Sequence, residues 1–345
     1  ESHAASFALI AYATAWVRGH YPEAFLCRQS NAQPRGLYAP ATIVSDGKRH
    51  GVVVLPLSVQ AGNWHCRLEP NAVDVGRERS CHQARAVSRE SGGNGEARPT
   101  ARSTDSTPRY RYAVRMGLRY VKGLAEREGE RIETARREGP FRSVADFVAR
   151  TGLDSAKTGR LAEAGALACF QSSRRQALWE ARGTHHAQDP EFGVEPEEAD
   201  MQFAPLSLLE EVAWDYDASS HSTRGHPLAP LRLSLAAQGL PNAREVQAMR
   251  DGSRVRYAGL VICRQQPATA RGAVFMTLED ETGFVNLVLW KDVFAKHRVV
   301  ARTAGFLGIT GKVQSESGVV NLVAEELWVP RLEALPPEGV SRDFH

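Results

Sequence analysis

GLRYVKGLAE, residues 117–126, is the stretch that decides the fold of this chain. It places a glycine turn at Gly123, and Ile132 and Ala135 follow at the spacing of one helical face. The first backbone N–H groups of a helix have no partner within it, so they can bind a phosphate without reading base sequence. We therefore predict contacts to a nucleic-acid backbone from one run of residues: Lys122, Gly123, Leu124, Ala125 and Arg127.

This run is similar to the helix-hairpin-helix pattern, in which apolar residues and two glycines precede a helix. The chain departs from the pattern at two positions. Ala125 stands where the second glycine is usual, and Gly129 stands where a small alanine is usual. Taken alone, the run is explained equally well by an ordinary helix that begins after a glycine turn.

A second unit of this kind follows in residues 153–170, LDSAKTGRLAEAGALACF. A helix over Leu161–Ala164 leads into a turn at Gly165, and residues 115–160 carry eleven basic and seven acidic side chains, a net charge of +4. Two such units bind a duplex better than one, because each adds phosphate contacts and releases counterions. We therefore add Arg160 and Gly165 to the predicted DNA-binding residues.

The last part of the chain changes from helical spacing to strand spacing. Five strand-like runs between Arg254 and Trp328 are separated by turns with glycine, and a helix from Lys291 to Val300 lies between the third and the fourth run. That order predicts an OB-type barrel, which lays the bases of a single strand on exposed aromatic rings in a basic groove. The candidate residues are Arg264, Arg271, Phe275, Phe284, Trp290 and Lys312, although Phe275 and Trp290 fit the core equally well.

The first part of the chain predicts a helical region with a small α/β element. Apolar spacing over residues 3–30 predicts two helices that are separated near Tyr21 and Pro22. A helix over Tyr38–Arg49, then Gly51, then a strand in the β-branched run Val52–Val59 that is closed by Pro56 would follow. The polar stretch that comes next, rich in Gly, Ser, Arg and Pro, predicts a disordered insert over residues 76–109.

Composition bounds the class of protein without naming it. The chain has 345 residues, 42% of them hydrophobic and 24% charged, which suits a multidomain globular protein. A net charge of +3 means that nucleic-acid binding must be argued from where the basic residues lie. We find no apolar run of the roughly 20 residues that a membrane span needs, and we expect a cytoplasmic protein without a membrane partner.

We predict neither a catalytic centre nor a metal site in this chain. Glu279, Asp280 and Glu281 form the tight acidic cluster nearest a strand, and we expect them in a solvated hairpin. His185 and His186 have no further ligand at a usable spacing, so we expect them in a solvated loop. The five cysteines are scattered and form no Cys-x-x-Cys pair.

Several stretches together resemble one family. The opening SHAASFALIAYATAWVRGHYPEAF, the run GLRYVKGLAE, and MTLEDETGFVNLVLW at residues 276–290 are similar to the C-terminal part of bacterial DnaE-type DNA polymerases. These are the C-family enzymes, related to polymerase III alpha. The likeness is closest to their error-prone, translesion branch, the ImuC class, and covers nearly the whole chain apart from the insert.

The resemblance implies an α+β multidomain chain made of a helical fingers remnant, a tandem helix-hairpin-helix and a C-terminal OB-type β-barrel. It also implies DNA-directed DNA synthesis across damaged template in the SOS response, with Mg²⁺ as the cofactor of the full-length enzyme and no cofactor in this chain. The palm with its catalytic aspartates would precede this part. We therefore divide the chain into an end of the fingers with the α/β element (1–75), the insert (76–109), the tandem hairpins (110–182), a linker (183–205), a helical connector (206–252), the OB fold (253–330) and a tail (331–345).

The partners implied are duplex DNA and single-stranded template, with the missing polymerase half, the sliding clamp and mutasome proteins as further possibilities. Residues 198–203, EADMQF, are similar to a clamp-binding peptide, although a plain acidic linker explains them as well. Two alternatives to a polymerase part remain: a freestanding, non-catalytic DNA-binding accessory protein, or an inactive truncated fragment. An OB domain that reads RNA is a third possibility, which the tandem hairpins fit poorly.

Overall fold

The computed structural model describes residues 2–34, 38–71, 110–171, 173–187, 203–316, 318–332, 334–337 and 342–344. Three helices come first: α1 (Ser2–His20), α2 (Pro22–Asn31) and α3 (Pro40–Arg49). Pro22 begins α2, where the missing N–H of proline costs nothing, so the predicted break near Tyr21 is confirmed. Helices α2 and α3 bury one face, whereas α1 exposes its large apolar side chains on every side.

A three-stranded sheet joins the two sides of the predicted insert, which itself lies outside the described residues. Strand β3 (Tyr112–Arg115) is central and pairs in parallel with β1 (Val54–Leu55) and antiparallel with β2 (Arg67–Pro70). Strand β1 ends directly before Pro56, as predicted, because proline has no N–H to donate to a neighbouring strand.

Four helices follow the sheet: α4 (Glu126–Arg137), α5 (Val144–Thr151), α6 (Ser155–Glu163) and α7 (Arg174–Ala187). Ser143 and Asp154 cap α5 and α6 through side-chain oxygens that accept backbone N–H bonds. Helix α7 continues through His185 and His186, so these two residues are helical and the expectation of a loop there is wrong. One hydrophobic cluster runs from Leu26 through the sheet and these helices to Ala218, which places α2, α3 and the helices that follow the sheet in a common core.

The connector to the barrel is helical. It contains α8 (Leu208–Ser219), a 3₁₀ turn (Ala229–Leu231), α9 (Arg232–Ala237) and α10 (Ala243–Gln247). Leucines of this connector pack against the barrel residues Leu260 and Phe306 in a small hydrophobic cluster. The connector therefore holds the barrel against the helical part of the molecule.

The barrel is formed by β4 (Arg254–Gln265), β5 (Val274–Asp280), β6 (Gly283–Leu289), β7 (Phe306–Glu316) and β8 (Val319–Trp328). The strand order β5-β6-β8-β7-β4 closes through a β4–β5 pairing, because an irregularity between Val261 and Cys263 lets β4 pair with both β7 and β5. The predicted α+β architecture with a C-terminal OB-type barrel is confirmed. The single predicted helix after β6 is two short helices, α11 (Lys291–Lys296) and α12 (Arg298–Thr303). A final strand, β9 (Arg342–Phe344), pairs in parallel with β4.

Candidate nucleic-acid interface

The glycine turn before α4 has the geometry that the sequence predicts. Gly123 has a φ of +83°, and a Cβ built on it would meet nothing within 4 Å. Within the described residues, the backbone N–H groups of Gly123, Glu126 and Arg127 have no hydrogen-bond partner in the chain. Because they stand at the positive end of the α4 dipole, they are available to an anion.

The remaining predicted residues of this turn are engaged within the chain. The backbone N–H of Lys122 donates to Ala218 O at 2.9 Å, and its ammonium group lies 3.1 Å from Tyr216 O. Leu124 is buried in the core, and Ala125 is the N-cap of α4. Both Lys122 contacts fix the turn to the C-terminal end of α8.

A buried carboxylate, Glu128, occupies part of the helix start. One of its oxygens accepts the N–H of Ala125 at 2.8 Å, and the other lies 2.9 Å from Arg127 Nε and 3.2 Å from Lys157 Nζ. The hydrogen bond from Arg127 and those from Ala125 and Lys157 lower the pKa of Glu128 to about 2. The Ala125 amide and the Arg127 guanidinium are therefore already paired with a carboxylate.

Gly165 has a different role from Gly123. It has a φ of +73° and ends α6, with Gly165 N bonded to Ala162 O and Ala166 N bonded to Leu161 O, both at 2.9 Å. This is the Schellman arrangement of a helix C-terminus. A Cβ at Gly165 would lie 2.9 Å from Arg174 Nε, so the turn is filled and its amide is occupied. A phosphate contact through Gly165 stays a prediction.

Arg174 and Asp215 form a buried ion pair behind this turn. Arg174 Nη2 lies 2.5 Å from Asp215 Oδ1, and the second carboxylate oxygen accepts the Ser222 hydroxyl at 2.6 Å. Arg160, a predicted DNA contact, lies nearby and is paired with Glu163 at 2.9 Å. The Arg174–Asp215 pair ties α7 to α8, and Arg160, which also lies 3.6 Å from Asp217, ties α6 to α8.

The predicted barrel residues lie on different parts of its surface. The Arg49 guanidinium of α3 stacks on the ring of Phe284 at 4.3 Å from its centroid. Arg264 donates from Nε to Ala301 O at 2.8 Å and supports the end of α12. Lys312 is exposed and 3.9 Å from Glu325, and Arg271 is exposed in the β4–β5 loop.

Glu279 and Asp280 end β5 and are buried, so the expectation of a solvated hairpin for the acidic triplet is wrong. Asp280 is fully buried and accepts the N–H of Ala243 at 2.6 Å and the hydroxyl of Tyr257 at 3.2 Å. Glu279 is buried against Arg49 at 2.8 Å, and Glu281 pairs with Arg232. The triplet holds the connector and α3 onto the barrel.

A cavity of about 720 Å³ lies between helices α1–α3 and the outer face of the barrel. Its wall combines aromatic rings with amide and hydroxyl groups, among them Phe25, Tyr38, Phe284, Gln29, Asn286 and Thr277. Arg18 and Asp46 face it as an ion pair of 3.0 Å, so it carries little net charge. No local sequence pattern indicates this cavity, because its walls come from residues far apart in the chain.

Neither a metal site nor a membrane span is found in the part of the chain that the structure describes. No group of three or more His, Cys, Asp or Glu side chains lies close enough there to hold a metal ion. None of the described helices is both long and apolar enough to cross a bilayer. Most of the clamp-peptide-like stretch, residues 198–202, lies outside the described residues.

Two family profiles match this chain. One, a helix-hairpin-helix motif, covers residues 51–177, and the other, an OB-fold nucleic acid binding domain, covers residues 255–330. Among solved structures, the asparaginyl-tRNA synthetase from Pyrococcus horikoshii is similar over 30% of this chain and 24% of its own, with 22% sequence identity and a TM-score of 0.24.

Curated relatives are similar over nearly the whole chain. The chain is 40% identical to the error-prone DNA polymerase of Methylococcus capsulatus over 95% of its length, which is 30% of that protein. It is 40% identical to the error-prone DNA polymerase of Anaeromyxobacter sp. strain K over all of its length and 28% of that protein. The error-prone DNA polymerase 1 of Agrobacterium fabrum is 39% identical over the whole chain and 31% of its own length. The chain thus spans less than a third of the length of these relatives.

Proposed function

Because this chain is homologous over nearly its whole length to one part of the error-prone DNA polymerases of bacteria, we propose that it is the DNA-holding, C-terminal part of such an enzyme. The observation that carries the proposal is the coincidence of this homology with a helix-hairpin-helix match and an OB-fold match in the same chain. Neither module needs an active site to serve a polymerase. Their task is to keep primer and template in place.

The helix-hairpin-helix part would hold duplex DNA through its backbone. The N–H groups of Gly123, Glu126 and Arg127, unpaired within the described residues, support this, because these exposed residues lie at a helix N-terminus beside an open glycine turn. Such contacts carry no base preference, as a polymerase that copies any template requires. Lys122 would act indirectly, by fixing the turn to α8.

The barrel would guide the single-stranded template. OB folds bind single strands with aromatic rings and a basic groove, and the outer face of this barrel carries Phe275 and Phe284 on neighbouring strands. Nucleotide transfer itself would depend on Mg²⁺ held by aspartates in the larger part of the relatives that this chain does not match. The enzyme class, DNA-directed DNA polymerase, is then a property of the assembled protein.

A role in damage-induced, translesion synthesis in the cytoplasm, with the sliding clamp and mutasome proteins as partners, belongs to the same proposal. Helix α1 supports a contact with the rest of the polymerase. It exposes Phe7, Leu9, Ile10 and Tyr12, which is more apolar surface than a solvated helix usually carries.

Primer extension tests the proposal. The chain alone, with Mg²⁺ and all four deoxynucleotides, is expected to extend no primer above background. Added to a relative that is truncated to its unmatched part, the chain is expected to raise the length of primer extended per binding event. The control is the chain with Ile10→Ser and Tyr12→Ser, which keeps the DNA-binding modules and should lose most of the gain. Magnesium-dependent extension by the chain alone would contradict the division of labour.

A further inference from the structure

The outer face of the barrel carries three pairs of side chains on strands β5 and β6. Alternation along the strands turns Phe275, Thr277 and Glu279 outward, and their partners across the sheet are Val288, Asn286 and Phe284. This is the face with which OB folds bind nucleic acids. Its three pairs differ in how far other parts of the chain cover them.

One end of the face is closed by α3. Thr42 Oγ1 donates to Glu279 at 3.3 Å, Arg49 Nη1 lies 2.8 Å from the same carboxylate, and the Arg49 guanidinium covers the Phe284 ring. A base could stack on Phe284 only after displacing this buried ion pair. The middle pair, Thr277 and Asn286, lines the cavity against α1–α3.

The other end of the face is open. Phe275 is 39% exposed, and Trp290, which follows β6, is 57% exposed. Trp290 stands two residues beyond Val288, the partner of Phe275, and its backbone is extended, so the alternation of β6 continues through it and places it on the same face as Phe275. Two exposed rings on one face suit two unstacked bases.

Basic side chains surround this open end. The Lys291 side chain packs against the β4–β5 loop within 3.4 Å of a Cβ built at Gly272, next to the exposed Arg271. Arg302 lies 5.8 Å from the ring centroid of Phe294, whose N–H bonds to Trp290 O. Arg298 is one helical turn from Arg302 on α12.

The charge of this surface is available to a ligand. Residues 291–303 contain four basic side chains and one acidic one, Asp292. Within the described residues, Arg271, Lys291, Arg298 and Arg302 form no ion pair, and all four are exposed. Elsewhere on the barrel, Arg254 and Lys312 face Glu325, and Arg232 faces Glu281.

We propose that this surface, which we call the Trp290 patch and define as Arg271, Trp290, Lys291, Arg298 and Arg302, binds single-stranded DNA. Bases stack on Trp290 and the neighbouring Phe275, and the phosphates on either side contact the four cations. Because α3 closes the Phe284 end, the strand leaves the barrel face over α11 and α12. The proposal rests on the DNA-holding function proposed above and assigns to it a specific path.

An acidic protein segment is another polyanion that a basic surface attracts. The exposed ring pair favours DNA, because stacking on a flat aromatic surface is a property of bases and not of carboxylates. A single strand is favoured over a duplex for the same reason, since the bases of a duplex are already stacked on each other.

The test is fluorescence anisotropy of a labelled oligothymidylate with the full chain. Trp290→Ala is expected to weaken binding about tenfold or more, the loss of one stacked base. Arg298→Gln with Arg302→Gln is expected to reduce the slope of log affinity against log salt by about 0.7 for each lost phosphate contact. Matched controls are Trp179→Ala, another exposed tryptophan, and Arg244→Gln with Arg250→Gln, two exposed arginines of the connector. They should change affinity less than about twofold.

The outcomes separate the patch from the function on which it rests. If the wild-type chain binds the oligonucleotide and the patch variants bind it equally well, the patch is wrong and the DNA-holding function stands. If the wild-type chain binds no DNA, the function itself fails. If the patch variants lose affinity for polyglutamate but not for DNA, the surface serves an acidic protein instead, and the proposal is overturned. Intrinsic fluorescence gives an independent readout, because stacking of bases should quench the tryptophan fluorescence of the wild-type chain more than that of Trp290→Ala.

Discussion

Two basic regions of this molecule use their charge in opposite ways. In residues 115–160, nine of the eleven basic side chains bond to carboxylates or backbone carbonyls of the chain itself, leaving Arg137 and Arg142 without a side-chain hydrogen bond or ion pair there. In residues 291–303, the basic side chains form no ion pair within the described chain. The first region is therefore stabilised by its cations, and the second presents them to a partner.

The net charge counted along the sequence of a region therefore differs from the charge that is available to a ligand on its surface. The helix-hairpin-helix region is left with backbone amides at Gly123, Glu126 and Arg127, whereas the Trp290 patch is left with side chains. Substitutions in the first region should therefore affect stability most, and those in the second should affect DNA binding most.

Arg174→Met should cause the largest loss. It leaves the Asp215 carboxylate buried without its ion-pair partner, and breaking such a pair typically costs about 3–5 kcal/mol of unfolding free energy. Urea denaturation, monitored by circular dichroism, measures this loss of unfolding free energy. The matched variant is Arg298→Met on the exposed face of α12, for which less than about 0.5 kcal/mol is expected. Equal losses of unfolding free energy in the two variants would contradict the contrast between the two regions.

Gly165→Ala should be more destabilising than Gly123→Ala. Both positions have a positive φ, which costs a residue with a Cβ about 1–2 kcal/mol. At Gly165 the added methyl also lies 2.9 Å from Arg174 Nε, whereas at Gly123 it meets open space. Thermal unfolding of the two variants compares them. Gly123→Ala should weaken duplex binding more than Gly165→Ala does, and the reverse order would shift the proposed duplex contact to the second turn.

Glu128→Gln should reduce stability by about 1–2 kcal/mol at neutral pH, because it weakens charge-assisted hydrogen bonds. The folded pKa of Glu128, about 2, lies below its ordinary value of 4.5, so this stabilisation is complete above pH 4.5 and is lost as the pH falls toward 2. The difference in unfolding free energy between wild type and variant should therefore shrink over that range. A difference that is constant from pH 7 to pH 2 would argue against an ionised Glu128.

The same variant probes the DNA contact. Removing a negative charge from the start of α4 and freeing Arg127 should raise duplex affinity several-fold at low salt. Glu138→Gln, at the other end of the helix, is the control and should have a smaller effect. An unchanged duplex affinity in Glu128→Gln would mean that phosphate does not bind at this helix start.

Arg137→Gln with Arg142→Gln should have the smallest effect on stability, less than about 0.5 kcal/mol, because neither side chain bonds within the described chain. If both arginines contact duplex phosphates, the salt slope should fall by about 0.9 for each. Anisotropy with a labelled duplex at several salt concentrations gives the slope. A stability loss as large as that of Arg174→Met would show that these arginines also support the fold.

Local patterns predicted the elements of this fold. The alternation in AVFMTLED and FVNLVLW indicated strands because Val274, Met276 and Leu278 point into the barrel and their neighbours point out. The proline after Tyr21 indicated the break between α1 and α2 for an equally local reason. The glycine turn at Gly123 was predictable from the sequence because few residues other than glycine adopt its backbone conformation.

Partners that are distant in sequence were not predictable. Glu279 looked solvated because nothing near it in sequence could pair with it, yet Arg49 reaches it across 230 positions. The residue type of Phe284 predicts a stacking surface for a base, but the same arginine covers its ring in the structure. Lys122 and Arg160 are of residue types that contact phosphates. In the structure, however, Lys122 donates to a carbonyl of α8 and Arg160 pairs with Glu163. In each case the tertiary structure, and not the residue type, decides which groups remain available.

The central claim is that this chain holds DNA, and fluorescence anisotropy tests it most directly. The wild-type chain would be titrated into equal-length labelled duplex DNA, single-stranded DNA and RNA at two salt concentrations. We predict binding to both forms of DNA that is tighter than to RNA and that weakens as salt rises, as phosphate contacts require. Absent binding, or equal binding to all three, would contradict the claim.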